Sequence, residues 1–227
     1  MPSDGGPLVF VADLELPILD DADEHHLSRA LRLRAGDPLV VSDGAGRWRA
    51  ARFAGSNPEP TGAAQVAPRP LPAVEVAFAL VKGAKPELAV QKLTELGVDR
   101  IRPFVAARSV VHWDAARSEN ALARLRRIGR EAAMQSRRAW LPEIDPVATF
   151  AALAADPRAC RADRGGGPPT LDHPLILTGP EGGWDPEEHQ CGLPVVGLGE
   201  GVLRAETAAI TAGALLTALR AGLVAPR

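Results

Sequence analysis

Short apolar runs and longer amphipathic stretches alternate along the chain from residue 74 onward. The runs at 74–81, 98–105 and 174–178 are too short for helices; the first and third have the apolar character of buried strands, and the second is predicted as a further strand. Between the first two runs, residues 86–97 carry apolar side chains at helical spacing and end at Gly97. A strand, a helix of this length and a second strand fit a right-handed parallel crossover. The pattern therefore predicts an α/β domain with a mostly parallel sheet.

The C-terminal part contains two glycine-rich loops, each of which follows a short apolar run. The run at 174–178 leads into GPEGGWDPEE, where Asp185 and Pro186 have the character of an N-cap and a first helical residue. The run at 193–198 leads into GEGVLR and then into a helix predicted over 205–219. Glycines at the carboxyl ends of parallel strands let the backbone approach a ligand, so these loops predict a crevice for a flat cofactor.

The N-terminal part has a different pattern, in which short β-like runs are separated by turn residues. A short helix is predicted after an N-cap at Asp23. An Asp-Gly turn joins the second and third of four strands, which are predicted at 8–12, 38–42, 46–53 and 64–67. The closely spaced prolines over 68–72 favour extended backbone and indicate a linker. We therefore predict a small β-rich domain over 1–70 and a second domain over 74–227.

Composition narrows the class of protein. The chain has 227 residues, a formal net charge of −2 and 46% hydrophobic residues, as expected of a soluble globular protein of one or two domains. No apolar run approaches the ~20 residues of a membrane span and no basic leader is present, so we expect a cytoplasmic protein without a membrane partner. Cys160 and Cys191 lack metal-ligand spacing, and the adjacent His25 and His26 point in different directions on a helix. No metal site is predicted.

A helix predicted over 118–137 has an apolar stripe and a basic face. Between Arg117 and Arg138 there are seven arginines, against only Glu119 and Glu131. An excess of one sign favours contact with a polyanion, although a charged face of this kind can also be plain solvated surface. The near-neutral charge of the whole chain argues against indiscriminate coating of nucleic acid, and no DNA partner is expected.

Three ordered segments carry a resemblance to a known family. They are KGAKPELAVQKLTELGVDRIRPFVAARSVV from Lys82, EAAMQSRR from Glu131, and GPEGGWDPEE from Gly179 followed by LGEGVLRAETAA. Together they resemble the RsmE family, the 16S rRNA uridine-N3 methyltransferases of the SPOUT superfamily. The stretch HHLSRALRLRAGDPLVVSDGAGRWRA resembles the PUA-like barrel of the same family. The chain departs from the family pattern at Gly201, where a basic residue is usual.

The resemblance implies a fold, a cofactor and partners. The fold would be a C-terminal SPOUT-type α/β domain with a deep trefoil knot that binds S-adenosyl-L-methionine, plus a small N-terminal PUA-like β-barrel that helps to hold RNA. The expected reaction is methyl transfer to N3 of a uridine in the decoding region of 16S rRNA, with the small ribosomal subunit as partner. Similar knotted enzymes pair two subunits through a smooth face of the final helix, so a homodimer is expected through Ala208, Ala212, Leu215 and Leu219.

The resemblance also assigns site residues. Main-chain groups at six positions would hold the cofactor: Leu177, Gly179, Gly182, Gly197, Leu198 and Leu203. RNA contacts are expected from Arg29, Arg32, Arg127, Arg130, Gln135 and Arg138. Uracil N3 must lose a weakly acidic proton, so Arg204 is expected to stabilise the negative charge that develops on the base. A general base could be Glu181 or Glu206, and the sequence leaves that choice open.

Other function classes stay open at this point. A knotted methyltransferase acting on a different rRNA nucleotide or on tRNA would share the motifs, and a non-catalytic RNA-binding protein would keep the basic helix without binding cofactor. A phosphate-binding P-loop is disfavoured because no Lys-Ser/Thr pair follows GPEGG. The segment 156–172 is rich in Gly, Pro and Arg, and we expect a mobile loop around 165–167.

Overall fold

The computed structural model describes residues 5–111 and 115–225, which divide into two compact units. The first unit combines residues 1–69 with 131–141, and the second combines 70–130 with 142–227. A single boundary near residue 70 therefore does not describe the chain. The segment 131–141 belongs to the first unit because Ala133 and Ala139 are buried in one cluster with Phe10 and Trp48.

The first unit is built on a five-stranded sheet. Its strands are β1 Leu8–Phe10, β2 Pro38–Ser42, β3 Arg47–Phe53, β4 Pro58–Pro60 and β5 Gln65–Val66. β1 pairs with β2 in parallel, and the β2–β3 hairpin is antiparallel with Ser42 opposite Trp48. The hairpin predicted around the Asp-Gly turn is therefore confirmed. Leu27, Leu39 and Phe53 are almost fully buried in the core below the sheet.

The first helix begins earlier than the sequence predicted. Helix α1 spans Asp21–His25, and its N-cap is Asp20, whose side chain accepts a hydrogen bond from the main-chain N–H of Asp23 at 2.7 Å. The N-cap prediction at Asp23 was wrong, because Asp20 has the extended backbone that a cap requires and Asp23 lies inside the first turn. A π-helical turn, His26–Ala30, continues the element.

The second unit contains a seven-stranded sheet whose pairings are all parallel. Its elements are β6 Glu75–Ala79, α2 Lys85–Leu96, β7 Arg100–Val105, α3 Ala115–Gln135, β8 Glu143–Ile144, β9 Ala148–Thr149, α4 Phe150–Ala154, β10 Ala159–Gly167, β11 Leu175–Thr178, α5 Pro186–His189, β12 Val195–Val196 and α6 Ala205–Arg220. The strand order is β12-β10-β11-β6-β7-β8, with β9 also on β7. The prediction of a mostly parallel α/β domain is confirmed.

The central strands of this sheet are covered on both faces. Alternate residues of β6 point to opposite sides, so Phe78 packs in the cluster that includes Leu93 and Leu216, and Ala77 packs in the cluster that includes Trp184. Helix α2 ends at Gly97, whose φ of 96° is the left-handed conformation of a C-cap.

Helices α2 and α6 pack closely. A Cβ atom at Gly213 of α6 would lie 2.5 Å from the side chain of Leu93 in α2. One residue earlier, Ala212 is fully buried in the core of its own unit. Ala212 is therefore not part of an exposed helix face, which corrects the set of residues expected to pair two subunits. Leu215 and Leu219 are half-buried on the same helix.

The glycine-rich segment around 165–167 is a strand rather than a loop. Residues 159–161 at the start of β10 are buried and pair with β11, and the glycines continue the strand beside β12 with an irregularity, in which Gly165 has a φ of 77°. A Cβ at Gly166 would lie 2.6 Å from the main-chain N of Gly197, so glycine is needed here for close approach of two backbones. The glycine-rich composition predicted a loop because glycine permits many backbone conformations. Composition does not show that another strand, β12, lies beside this segment.

Candidate active site

A cleft opens at the carboxyl edge of the parallel sheet in the second unit. It has a volume of about 220 Å³ and is lined by residues from the end of β10, from the loop that follows β11, and from the loop and helix that follow β12. Ligand crevices of open α/β sheets lie at this edge. The two glycine loops therefore border one cavity, as the sequence predicted.

The loop between β11 and α5 is held by contacts with its own unit. Asp185 caps α5 through a capping box, in which its side chain and that of Glu188 each accept a main-chain N–H. Trp184 stacks on Phe104 with an interplanar angle of 10°, and its Nε1 donates to the carbonyl of Ala162 at 3.0 Å. A Cβ at Gly179 would lie 2.9 Å from the Trp184 ring. The indole thus fixes the first glycine loop against the end of β10.

The loop after β12 has far fewer hydrogen bonds with the described part of its unit. The N–H of Gly197 donates to the carbonyl of Gly167 at 2.7 Å. Beyond it, no main-chain N–H or C=O of residues 198–203 makes a hydrogen bond with any part of the chain at 5–111 or 115–225. Leu198 and Leu203 are half-buried and line the cleft. The loop therefore offers main-chain donors and acceptors beside an apolar surface, which is what recognition of a planar heterocycle requires.

A lysine that the sequence analysis did not assign joins the two candidate bases. The Nζ of Lys85 contacts Glu181 and lies 3.9 Å from Glu206 Oε2. The ion pair with Lys85, mainly through its hydrogen bond, lowers the pKa of Glu181. Glu206 Oε2 is buried and has no hydrogen-bond partner in the described structure. Lys85 could have been found because it follows β6, whose carboxyl end lies at the same edge of the sheet as that of β11.

A second charged cluster lies at the end of β10. The side chain of Arg161 is 2% exposed, contacts Asp163 through Nη1, and lies over the Trp184 ring at 5.4 Å. His189 Nε2 is 3.1 Å from Asp163 Oδ2, and the N–H of Arg164 donates to Asp163 Oδ1 at 2.8 Å. Burial alone would raise the pKa of Asp163, but the Arg164 N–H and Arg161 outweigh it and lower that pKa. Asp163 is therefore held as a carboxylate.

The six cofactor positions expected from the resemblance have different environments. Gly179, Leu198 and Leu203 line the cleft. Leu177 is fully buried in β11, where its side chain belongs to the core. Gly182 lies against Arg108, whose Nη1 donates to its carbonyl at 3.3 Å, and Gly197 lies against β10. Of the six positions, only Gly179, Leu198 and Leu203 therefore line the cleft.

Of the three candidate catalytic residues one lines the cleft, and the other two flank Ala205, which also lines it. Glu181 lines the cleft, and Glu206 lies in the first turn of α6. Arg204 occupies the N-cap position of α6 and is exposed, and its charge is among the causes that lower the pKa of Glu181 after that of Lys85.

The residues expected to contact RNA are distributed over both units. Arg29, Arg32, Gln135 and Arg138 belong to the first unit. Arg127 and Arg130 lie on α3 within the second unit, where Arg127 is exposed and Arg130 is half-buried. In the first unit Arg29, Arg32 and Gln135 are exposed, whereas Arg138 is half-buried.

Two features are absent from residues 5–111 and 115–225, the part of the chain that the structure describes. No helix among them combines the length and apolar character needed to cross a bilayer. No group of three or more His, Cys, Asp or Glu side chains among them is arranged to hold a metal ion.

Comparison with known proteins identifies the fold and the family of the chain. The family model of an RNA methyltransferase domain matches residues 67–217, and that of an RNA methyltransferase PUA domain matches residues 19–60. Ribosomal RNA small subunit methyltransferase E of Mycobacterium bovis is 32% identical, with 86% of this chain and 83% of the relative covered.

Two solved structures are similar over nearly the whole chain. A probable rRNA-methyltransferase from Porphyromonas gingivalis has a TM-score of 0.81 and 30% identity, covering 96% of this chain and 100% of that one. Ribosomal RNA small subunit methyltransferase E from Neisseria gonorrhoeae, bound to S-adenosyl methionine, has a TM-score of 0.79 and 26% identity, covering 94% and 98%. Fold and site thus define an RNA methyltransferase with a PUA domain. The chain belongs to the ribosomal RNA small subunit methyltransferase E family, as the sequence motifs indicated.

Proposed function

We propose that this protein transfers a methyl group from S-adenosyl-L-methionine to N3 of a uridine in the decoding region of 16S rRNA. The observation that carries the proposal is the cleft at the carboxyl edge of the second unit, bordered by both glycine loops of the family motif. The similarity to relatives named for the small ribosomal subunit supports the choice of RNA.

The residues of the cleft fit the proposed cofactor. Leu198, Leu203 and Ala208 form an apolar wall for an adenine ring, and the unpaired main-chain groups of 198–203 suit its polar edge. The Neisseria gonorrhoeae relative binds the same molecule. S-adenosyl-L-methionine supplies an electrophilic methyl group on a sulfonium, so the protein mainly has to position the acceptor.

Residues of the chain then have to accept the proton from uracil N3 and stabilise the negative charge that develops on the base. Glu206 is the better candidate for the base, because its buried Oε2 has no hydrogen-bond partner in the described structure and lies 3.9 Å from Lys85 Nζ, whereas Glu181 is hydrogen-bonded to Lys85. When Glu206 accepts the proton from N3, negative charge remains on the uracil. Arg204, exposed at the start of α6, would stabilise that charge on the neighbouring carbonyl oxygen. Lys85 would keep Glu181 ionised and in place.

The remaining assignments belong to the same proposal. Leu177, Gly182 and Gly197 would support the cofactor site from behind its wall, and Arg29, Arg32, Arg127, Arg130, Gln135 and Arg138 would contact phosphates of the RNA. We also propose, from the family resemblance, that the C-terminal segment forms the trefoil knot of the superfamily. We further propose that the protein acts in the cytoplasm, on small subunits, as a homodimer.

The test is nucleoside mass spectrometry of 16S rRNA from a strain that lacks the protein. We expect 3-methyluridine to disappear and to return when the wild-type chain is supplied. Persistence of 3-methyluridine in the deletion strain would exclude the proposed reaction. Loss of a different methylated nucleoside would instead identify the chain as a methyltransferase for that nucleotide.

A further inference from the structure

Two adjacent residues of β10, Asp163 and Arg164, both line the cleft. Successive residues of a regular strand face opposite sides of the sheet, so this arrangement needs a local irregularity. The register of β10 against β12 shifts between Ala162 and Gly167, which places Asp163 and Arg164 within the irregular segment. Irregularities of this kind re-aim side chains and are common beside active sites.

The carboxylate of Asp163 is held by three groups and retains capacity for a ligand. Arg161 and His189 contact one of its oxygens and the N–H of Arg164 donates to the other. An ionised carboxylate has about four acceptor positions, so one further donor can be accommodated. The buried Arg161 keeps the carboxylate in one orientation, because a guanidinium without its counter-charge would be costly there.

The side chain of Arg164 is not neutralised. It is exposed, and within residues 5–111 and 115–225 it has no hydrogen-bond or ion-pair partner. Glu181, the other carboxylate lining the cleft, is already engaged by Lys85. The end of β10 therefore presents, on two adjacent residues, the oriented carboxylate of Asp163 and the guanidinium of Arg164, which is unpaired within the described chain.

We propose that Asp163 and Arg164 bind the α-amino-acid end of the methyl donor, with Asp163 on its ammonium group and Arg164 on its carboxylate. The inference rests on the proposed function, since it assigns a subsite of the cofactor cleft. The amino-acid end carries an ammonium and a carboxylate on one carbon, and Asp163 and Arg164 are adjacent residues that both line the cleft. Guanidinium recognises a carboxylate through paired N–H donors, and an aspartate accepts from an ammonium.

The inference is tested by calorimetry on the full chain with four ligands. These are S-adenosylmethionine, S-adenosylhomocysteine, decarboxylated S-adenosylmethionine, which lacks the carboxylate, and 5′-methylthioadenosine, which lacks the whole amino-acid end. Asp163→Asn should weaken binding of the first three by about tenfold or more and leave methylthioadenosine unchanged. Arg164→Gln should weaken only S-adenosylmethionine and S-adenosylhomocysteine by a similar factor.

Controls separate this inference from the proposed function. Asp172→Asn and Arg124→Gln remove charges from exposed residues outside the cleft wall and should change no affinity. If the wild type binds none of the four ligands, the cofactor assignment itself fails. If it binds S-adenosylmethionine but either variant weakens all four ligands equally or none, the amino-acid subsite is excluded. Should Asp163→Asn not fold, because Arg161 loses its counter-charge, the Arg164→Gln series decides alone.

Discussion

The two glycine loops that border the cleft look alike in sequence and are built differently. The loop over 179–185 is fixed by the Trp184 ring, by the Trp184 Nε1–Ala162 hydrogen bond and by the capping box of α5. The loop over 198–203 has no main-chain hydrogen bond with the described chain. The first loop is thus part of the framework, while the second leaves its polar groups for a ligand. Substitutions in the two loops should therefore separate stability from function.

The largest effect is expected at Arg204, where the second loop ends. Arg204→Ala should lower the rate of methyl transfer by roughly 10²–10³-fold, because a charge that acts mainly on the developing uracil anion is lost. Affinity for S-adenosylmethionine and thermal stability should stay unchanged, since Arg204 is exposed and makes no side-chain cap. Single-turnover assays on small subunits and calorimetry measure the two quantities.

Arg204→Lys is the matched control for this prediction. It keeps the positive charge and should recover part of the rate. A parallel loss of cofactor affinity in Arg204→Ala would contradict the assigned role, because the residue would then belong to the binding site rather than to the stabilisation of charge.

A smaller but still large effect is expected at Gly179 in the first loop. Gly179→Val should weaken S-adenosylmethionine binding by about 100-fold and also lower the melting temperature, because the new side chain meets the rigid Trp184 ring. RNA affinity should be largely retained. Filter binding, calorimetry and thermal melting distinguish these effects, and unchanged cofactor affinity would remove Gly179 from the site.

The sequence predicted elements whose signals are local. The cap and first turn of α5 follow from Asp185 and Pro186, and the end of α2 follows from Gly97. The parallel sheet follows from apolar runs separated by a helix of crossover length. These features need only information from neighbouring residues, and all of them are confirmed.

What the sequence missed depends on contacts between distant residues. The sequence predicts a loop at Gly166, because nothing near it in the sequence shows that residue 197 lies against it. Lys85 and Glu181 are far apart in the sequence and meet only because β6 and β11 are neighbours in the sheet. Likewise Asp163 and Arg164 can both face the cleft because β10 is irregular. Composition cannot report such pairings, so the site was predicted less completely than the fold.

An intermediate effect, on stability rather than on rate, is expected at the cap of α5. Asp185→Ala should destabilise the protein by about 1 kcal/mol, because the side-chain acceptor of the capping box is lost. Asp185→Asn should be nearly neutral, since an amide oxygen can accept the same hydrogen bond. Urea denaturation measures both variants. Equal destabilisation by the two substitutions would show that the charge of Asp185, and not the capping bond, stabilises the loop.

The smallest effect on stability is expected at Gly201. Substitution there tests most directly whether the loops 179–185 and 198–203 differ as described. A Cβ at Gly201 would meet no atom within 4 Å, and its φ lies outside the left-handed region, so Gly201→Ala should change stability by no more than about +1 kcal/mol. Gly179→Ala is the matched substitution in the first loop and should destabilise instead, because its Cβ would lie 2.9 Å from the Trp184 ring.

Hydrogen exchange extends this last prediction to the main chain. In the protein without ligand, amides of 198–203 should exchange quickly in both the wild type and Gly201→Ala, because no hydrogen bond to the described chain protects them. S-adenosylmethionine should slow their exchange, whereas the Glu187 amide, which donates to the Asp185 side chain, should be protected beforehand. If 198–203 were protected without ligand, the second loop would be framework like the first, since its amides would already have partners.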